Sequence, residues 1–143
     1  MKNKLIPYDE LGFRIYLLNP PFIELPNGEK VPSPNMKQLQ KIVFNALSEK
    51  KSRFTGDEIR FIRKYLRKTQ VEFSKWLNMS NHSVISQWEN KENKLSGMDY
   101  NTEILLRLQM IAAETNSLPI SIIEDLKHLS RTSKPLEIEL YAA

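Results

Sequence analysis

The chain contains no cysteine. That excludes disulfide bonds and thiolate-bound metals, and it suits a reducing compartment. Histidine is nearly as scarce: His82 and His128 fall in separate helical stretches, so no HExxH or other paired metal-ligand spacing arises. The four glycines form no phosphate-cradling loop, and no nucleophile elbow is present. Adjacent acids such as Glu124-Asp125 read as a solvated helix face. No apolar run follows Met1-Lys2-Asn3-Lys4 that would serve as a signal peptide, and none elsewhere approaches a membrane span. The expectation is a soluble, cytoplasmic binding protein with no catalytic residue, cofactor or metal.

What the chain does have is enough apolar content (41%) for a core and 27% charged residues, which argues against disorder. Its 143 residues suit one ordinary domain or two small ones. The net charge of +4 is unevenly spread. Residues 1–51 carry eight Lys/Arg against five Asp/Glu, residues 52–98 nine against five, and residues 99–143 four against seven. The middle of the chain is therefore the most basic part, which favours a polyanionic partner there.

That basic region contains the stretch around which the chain is organised, Thr69 to Asn90. Its first half places Val71, Phe73, Trp76 and Leu77 at helical spacing; its second half does the same with Val84, Ile85 and Trp88. Asn78-Met79-Ser80 is the turn between them, with Ser80 or Asn81 capping the second helix. The second helix leaves Asn81, His82, Ser83, Ser86 and Gln87 facing out. Small amides and hydroxyls suit a helix inserted into the DNA major groove, where they read base edges.

Before this stretch, residues 1–11 show little pattern and read as an arm. Phe13–Leu18 and Phe22–Leu25 read as strands, Pro26-Asn27-Gly28-Glu29 as a tight turn, and Lys30-Val31 as a short return strand. A helix follows from Met36 to Lys50 with Met36, Leu39, Val43 and Leu47 on one stripe and Asn35 as cap. Glu49–Arg53 reads as a charged connector and domain boundary. Thr55-Gly56-Asp57-Glu58 and Thr69-Gln70-Val71-Glu72 are capping boxes. The first opens a helix to about Arg67 that buries Ile59, Ile62 and Leu66.

After the central stretch comes a polar loop, then a helix from about Asn101 to Ala113 with Ile104, Leu105, Leu108 and Ile111 inward. Asn116–Pro119 breaks the chain, a further helix uses Ile122, Ile123 and Leu126, and Leu136–Tyr141 alternates as a half-buried strand whose natural partners are the N-terminal strands. The expected fold class is mainly α with a small β element. A five-helix domain at 52–115 and its C-terminal extension follows a β/α segment at 1–51. Residues 116–143 supply the last helix and strand. The dimer surface is expected from the last two helices, the acidic C-terminal region or the β elements, with residues 1–51 serving dimerisation or partner binding, and the sequence does not choose among them.

Thr69-Gln70, Phe73, Leu77, Ser80 and Trp88-Glu89-Asn90 resemble the Cro/XRE-type helix-turn-helix pattern, and Thr55–Leu66 is similar to the first helix of MqsA-like antitoxin regulators. The chain departs from the latter in having no zinc-binding cysteines, and its turn holds one residue more between Leu77 and Trp88. The resemblance implies that Gln70 bonds a DNA phosphate. It also implies that Ser83 and Gln87 occupy the base-reading positions, with glutamine there favouring adenine. Asn81 and His82 are contacts at the helix start, Asn81 being equally suited to a cap alone. Trp88 is expected in the core and Glu89 on an arginine of the first helix of the pattern, the one opened by Thr55. Ser80, Ser86, Asn90, Lys68, Lys75, Lys91 and Lys94 complete the expected DNA-facing set, with Arg63 and Arg67 as further phosphate candidates. The function implied is a transcriptional regulator, a repressor bound as a homodimer to a palindromic operator. The alternative is an antitoxin that masks a toxin protein through residues 1–51 and regulates its own operon.

Overall fold

The computed structural model describes residues 4–115, 126–130 and 133–140. Five helices and five strands lie among them, and the chain divides into two compact units: the residues up to Val43 together with those from Pro135 onward, and Phe44–Lys134.

The first unit holds all five strands. Strand β1 (Leu5–Tyr8) pairs antiparallel with β2 (Ile15–Leu18), and β5 (Glu137–Glu139) joins the other edge of β2 in parallel, with Leu17 opposite Ile138. In β2, Ile15 and Leu17 are fully buried, and the strict alternation of β5 buries Ile138 while exposing Glu137 and Glu139. The C-terminal strand thus pairs with an N-terminal strand, as its pattern suggested, and of the two partners open to it, the same chain or a second subunit, it takes the same chain. The expectation of an unpatterned arm at 1–11 is corrected: Leu5–Tyr8 is an edge strand whose only deeply buried side chain is Tyr8. Pro7 sits there because an edge strand tolerates a missing N–H. Gly12, at φ +95°, closes the turn into β2, so Phe13 lies in that turn rather than in the strand. A separate hairpin of β3 (Phe22–Glu24) and β4 (Lys30–Pro32) turns at Gly28, φ +86°.

Helix α1 (Met36–Ser48) begins at Asn35, whose side chain accepts from the Gln38 N–H, and buries Leu39, Val43, Phe44 and Leu47. The division into units falls within this helix, not at Glu49–Arg53 as the charge pattern suggested.

The second unit contains the end of α1 and helices α2 (Gly56–Tyr65), α3 (Gln70–Trp76), α4 (Ser83–Glu89) and α5 (Tyr100–Thr115). Phe44 stacks on Tyr65 at 4.2 Å between centroids, and Phe54, Ile59, Ile62, Phe73, Ile85 and Leu106 are fully buried. Residues 49–53, read as a charged connector, are bound down instead. Arg107 of α5, with no exposure, donates to the carbonyls of Lys50 and Ser52 and ion-pairs with Glu103 at 3.0 Å. Lys50 is itself buried on Glu58 at 2.6 Å. Burial draws the Lys50 ammonium below its ordinary pKa, against the pull of Glu58.

The inward face of α5 is also corrected. It buries Glu103, Leu106, Arg107, Met110 and Ile111, and leaves Leu105 exposed. Periodicity counted only apolar residues and so rotated the helix away from its buried ion pair. The break at 116–119 and the body of the following helix lie outside the described residues; Leu126, from its end, is buried.

Candidate nucleic-acid interface

Helices α3 and α4 are positioned by their own ends. Thr69 caps α3 by accepting from the Glu72 N–H at 3.1 Å, while Glu72 accepts from the Thr69 N–H at 3.0 Å, completing the expected capping box. The same reciprocal pair, Thr55 and Glu58, opens α2. Arg67 and Asn78 take the left-handed conformation, φ +57° each, and so end α2 and α3 abruptly. Met79 N–H donates back to the Ser74 carbonyl at 2.8 Å, closing the turn between α3 and α4.

The start of α4 is later than the sequence suggested. The helix begins at Ser83, and Asn81 lies before it with its side-chain oxygen accepting from both the Ser83 N–H (2.9 Å) and the Ser83 hydroxyl (2.8 Å). Asn81 thus closes the turn into the helix, while the N-cap position itself falls on His82, whose side chain makes no cap bond. Ser80 and His82 are exposed turn residues outside the helix.

The inner side of α4 is held in three ways. Trp88 is 5% exposed and belongs to the core, as expected, with Ile85. Glu89, 2% exposed, receives Arg63 through both carboxylate oxygens (2.6 and 3.0 Å), Arg60 at 3.3 Å and the Gln70 amide at 3.4 Å. A buried carboxylate needs such partners, because an unpaired one would cost several kcal/mol. Gly56 supplies the third hold: a Cβ there would overlap the Trp88 carbonyl oxygen and come within 2.8 Å of the Glu92 nitrogen. Its own N–H donates to the Lys94 carbonyl, and the Asp57 N–H donates to that of Glu92. The first turn of α2 thereby ties down the loop that follows α4.

Two expected roles change as a result. Gln70 spends its amide on Glu89, and Arg63, with 13% of its side chain exposed, is bonded to Glu89 and the Lys68 carbonyl. Both are committed within the fold. Arg67 and Lys75 remain exposed, whereas Lys68 is half-buried with its ammonium 5.4 Å from the centre of the Trp76 ring.

The outer side of α4 carries Ser83, Gln87 and Asn90, all exposed, with Ser86 half-buried beside them. Their spacing of three and four residues puts them on one helix face. No acidic or basic residue interrupts that face within the helix. Lys91 and Lys94 follow it at once, also exposed. Of the acids nearby, Glu72 is held below the ordinary glutamate range by the Thr69 N–H and hydroxyl, aided by Lys68 and Lys75, burial pushes Asp57 up against the opposing charge of Arg60, and Glu92 is exposed between Lys91 and Lys94.

Gly56 and Arg60 were missed by sequence reading. For Gly56 the signal was a glycine in the first turn of a capped helix, where no turn calls for one. No protein-family model, curated protein or solved structure matches the chain.

Proposed function

We propose that the chain is a sequence-specific DNA-binding transcriptional regulator of the Cro/XRE helix-turn-helix type, with α4 as its recognition helix, acting as a homodimeric repressor on a palindromic operator. The observation that carries this reading is the contrast between the two sides of α4. Its inner side is held by Trp88, Glu89 and the close approach of Gly56, so the helix is rigidly presented. Its outer side is a row of exposed hydroxyl and amide groups, Ser83, Gln87 and Asn90. Groups meant only for solvation would include the lysines and glutamates that dominate ordinary surface helices; short neutral donors and acceptors on a rigid mount suit base edges. Lys75, Lys91 and Lys94 supply cations for phosphates on either side. Gln70 enters this reading as a residue that positions Glu89, and Asn81 as one that fixes the turn into α4.

The test is a gel shift with DNA from upstream of the chain's own reading frame, wild type against Gln87→Ala, at moderate salt with excess random competitor. The wild type is expected to give a competitor-resistant complex. Gln87→Ala is expected to lose about 1–3 kcal/mol of that preference with an unchanged melting temperature. Equal binding of all sequences by the wild type would defeat the reading.

A further inference from the structure

The hairpin of β3 and β4 has one open edge and one closed one. Its ladder pairs Phe22 with Pro32, Ile23 with Val31 and Glu24 with Lys30. Beyond the ends, Ser33 N–H donates to the Pro21 carbonyl and Leu25 N–H to the Glu29 carbonyl. Hydrogen-bonded and non-bonded pairs alternate in an antiparallel ladder. With the 21/33 and 25/29 pairs bonded, the 23/31 pair is bonded too, and the backbone groups of residues 22, 24, 30 and 32 point outward. On the β4 side Pro32 has no N–H to offer. On the β3 side Phe22 and Glu24 present two N–H and two C=O groups, and all three β3 residues are exposed, Phe22 and Ile23 to 48% and 50%. An isolated two-stranded hairpin is marginal in water, and an open edge of this kind is a template for another strand.

We propose that this edge pairs with the same edge of a second copy of the chain, β3 against β3 antiparallel about a twofold axis at Ile23. That register satisfies all four outward backbone groups of each copy, through the bonded pairs Phe22 with the partner's Glu24 and Glu24 with the partner's Phe22. It also resolves the charges. Across the four-stranded sheet the rows run Lys30, Glu24, Phe22, Pro32 and the reverse, so each Glu24 keeps its own Lys30 beside it and faces an aromatic ring, with no like charges directly opposed. The row between them reads Val31, Ile23, Ile23, Val31 on the other face, a run of β-branched side chains suited to strand packing. A twofold interface requires a patch that complements itself, and this one does so in sequence, backbone polarity and charge. The inference gives a location to the homodimer of the operator reading, and it rests on that reading only for why a dimer is needed.

The experiment uses the full chain without DNA. Since there is no native cysteine, Ile23→Cys introduces a single thiol. Directly opposed non-bonded residues of an antiparallel pair lie about 4.5 Å apart at Cα, within reach of a disulfide. Mild oxidation is expected to cross-link Ile23→Cys into a covalent dimer at least tenfold faster than Leu105→Cys, a control at another exposed apolar position. In sedimentation, Ile23→Lys, which opposes two ammonium groups at the axis, and Glu24→Pro, which removes an outward N–H and the carboxylate but no bond of the hairpin's own ladder, are each expected to weaken dimerisation at least tenfold while far-UV circular dichroism is retained. A wild type that is monomeric at tens of micromolar, or a dimer that both substitutions leave intact, overturns the proposal. Because no DNA is present, either result leaves the DNA reading to its own test.

Discussion

Arg107 and Glu103, one turn apart on α5, form a 3.0 Å ion pair with side chains 0% and 1% exposed. Glu103 also accepts from the Phe54 N–H and pairs with Arg53, while Arg107 lies over the Phe54 ring and spends its remaining N–H groups on the carbonyls of residues 48, 50 and 52. A guanidinium fork suits this task because its donors are planar and point several ways at once. The pair therefore fastens the segment leading into α2, and through α2 the support of α4.

The two partners should not be independent, because each loses its counter-charge when the other is removed. Arg107→Met leaves three carbonyls without their donor and the buried Glu103 with only the Phe54 N–H and Arg53, and is expected to cost about 3–5 kcal/mol in urea unfolding. Arg107→Lys, a point charge without the fork, should recover only part of that. Arg107→Met with Glu103→Leu, which also takes the acceptor from the Phe54 N–H and the partner from Arg53, should cost less than the sum of the two single losses. A single substitution within about 1 kcal/mol of wild type would show that the pair does not hold the segment.

Gly56→Ala tests the close approach of α2 to the end of α4. In an ordinary exposed helix this change stabilises slightly, because alanine is the better helix former. Here the added methyl meets main-chain atoms of Trp88 and Glu92, which cannot rotate away as a side chain could. The expected outcome is a loss of about 1–3 kcal/mol, read from the urea midpoint, and weaker DNA binding as α4 shifts. A gain in stability would mean that the two helices separate at no cost.

Much of this was legible in the chain. Both capping boxes, the α2 and α3 starts, the buried Trp88 and the strand at residues 137–139 follow from local chemistry, and local chemistry acts over a few residues. The ion pair of Glu89, whose arginines lie more than twenty residues back, was expected only through the resemblance. What was not legible depends on partners distant in sequence. Nothing near Arg107 says that its bonds lie more than fifty residues away on the carbonyls of residues 48–52. Gln70 looked available for phosphate because its partner, Glu89, is nineteen residues on. The short strand at Leu5–Tyr8 escaped because one proline and one deeply buried residue leave no alternation to detect.

Glu72 makes the α3 cap sensitive to acid. Its carboxyl is held below the ordinary glutamate value by the Thr69 N–H and hydroxyl, so the folded state binds that proton less readily than the unfolded one. Its contribution is complete above about pH 4.5 and is lost as pH falls through the lowered value in the folded chain. Glu72→Gln keeps an acceptor for the Thr69 N–H but no charge. Melting temperatures should therefore differ most between wild type and Glu72→Gln near neutrality and converge toward pH 2.5. Asp57 shifts the other way, but it is common to both proteins and drops out of the comparison. A difference independent of pH would mean that the cap does not depend on its charge.

Base contacts and phosphate contacts should separate cleanly under the proposed function. Gln87 is suited to a bidentate pair with adenine, and arginine at the same exposed position would favour the O6 and N7 of guanine. Gln87→Arg is therefore expected to change which base is preferred at one position of each half-site, by about 1–3 kcal/mol, in a selection from randomised DNA. Lys91→Gln should leave that preference alone, weaken binding to every sequence and lower the salt slope by about one. Arg63→Gln should instead lower the melting temperature, because it removes the principal partner of the buried Glu89. If Gln87→Arg and Lys91→Gln both altered only the salt slope, α4 would be following the DNA backbone and the base-reading assignment of Gln87 would be wrong.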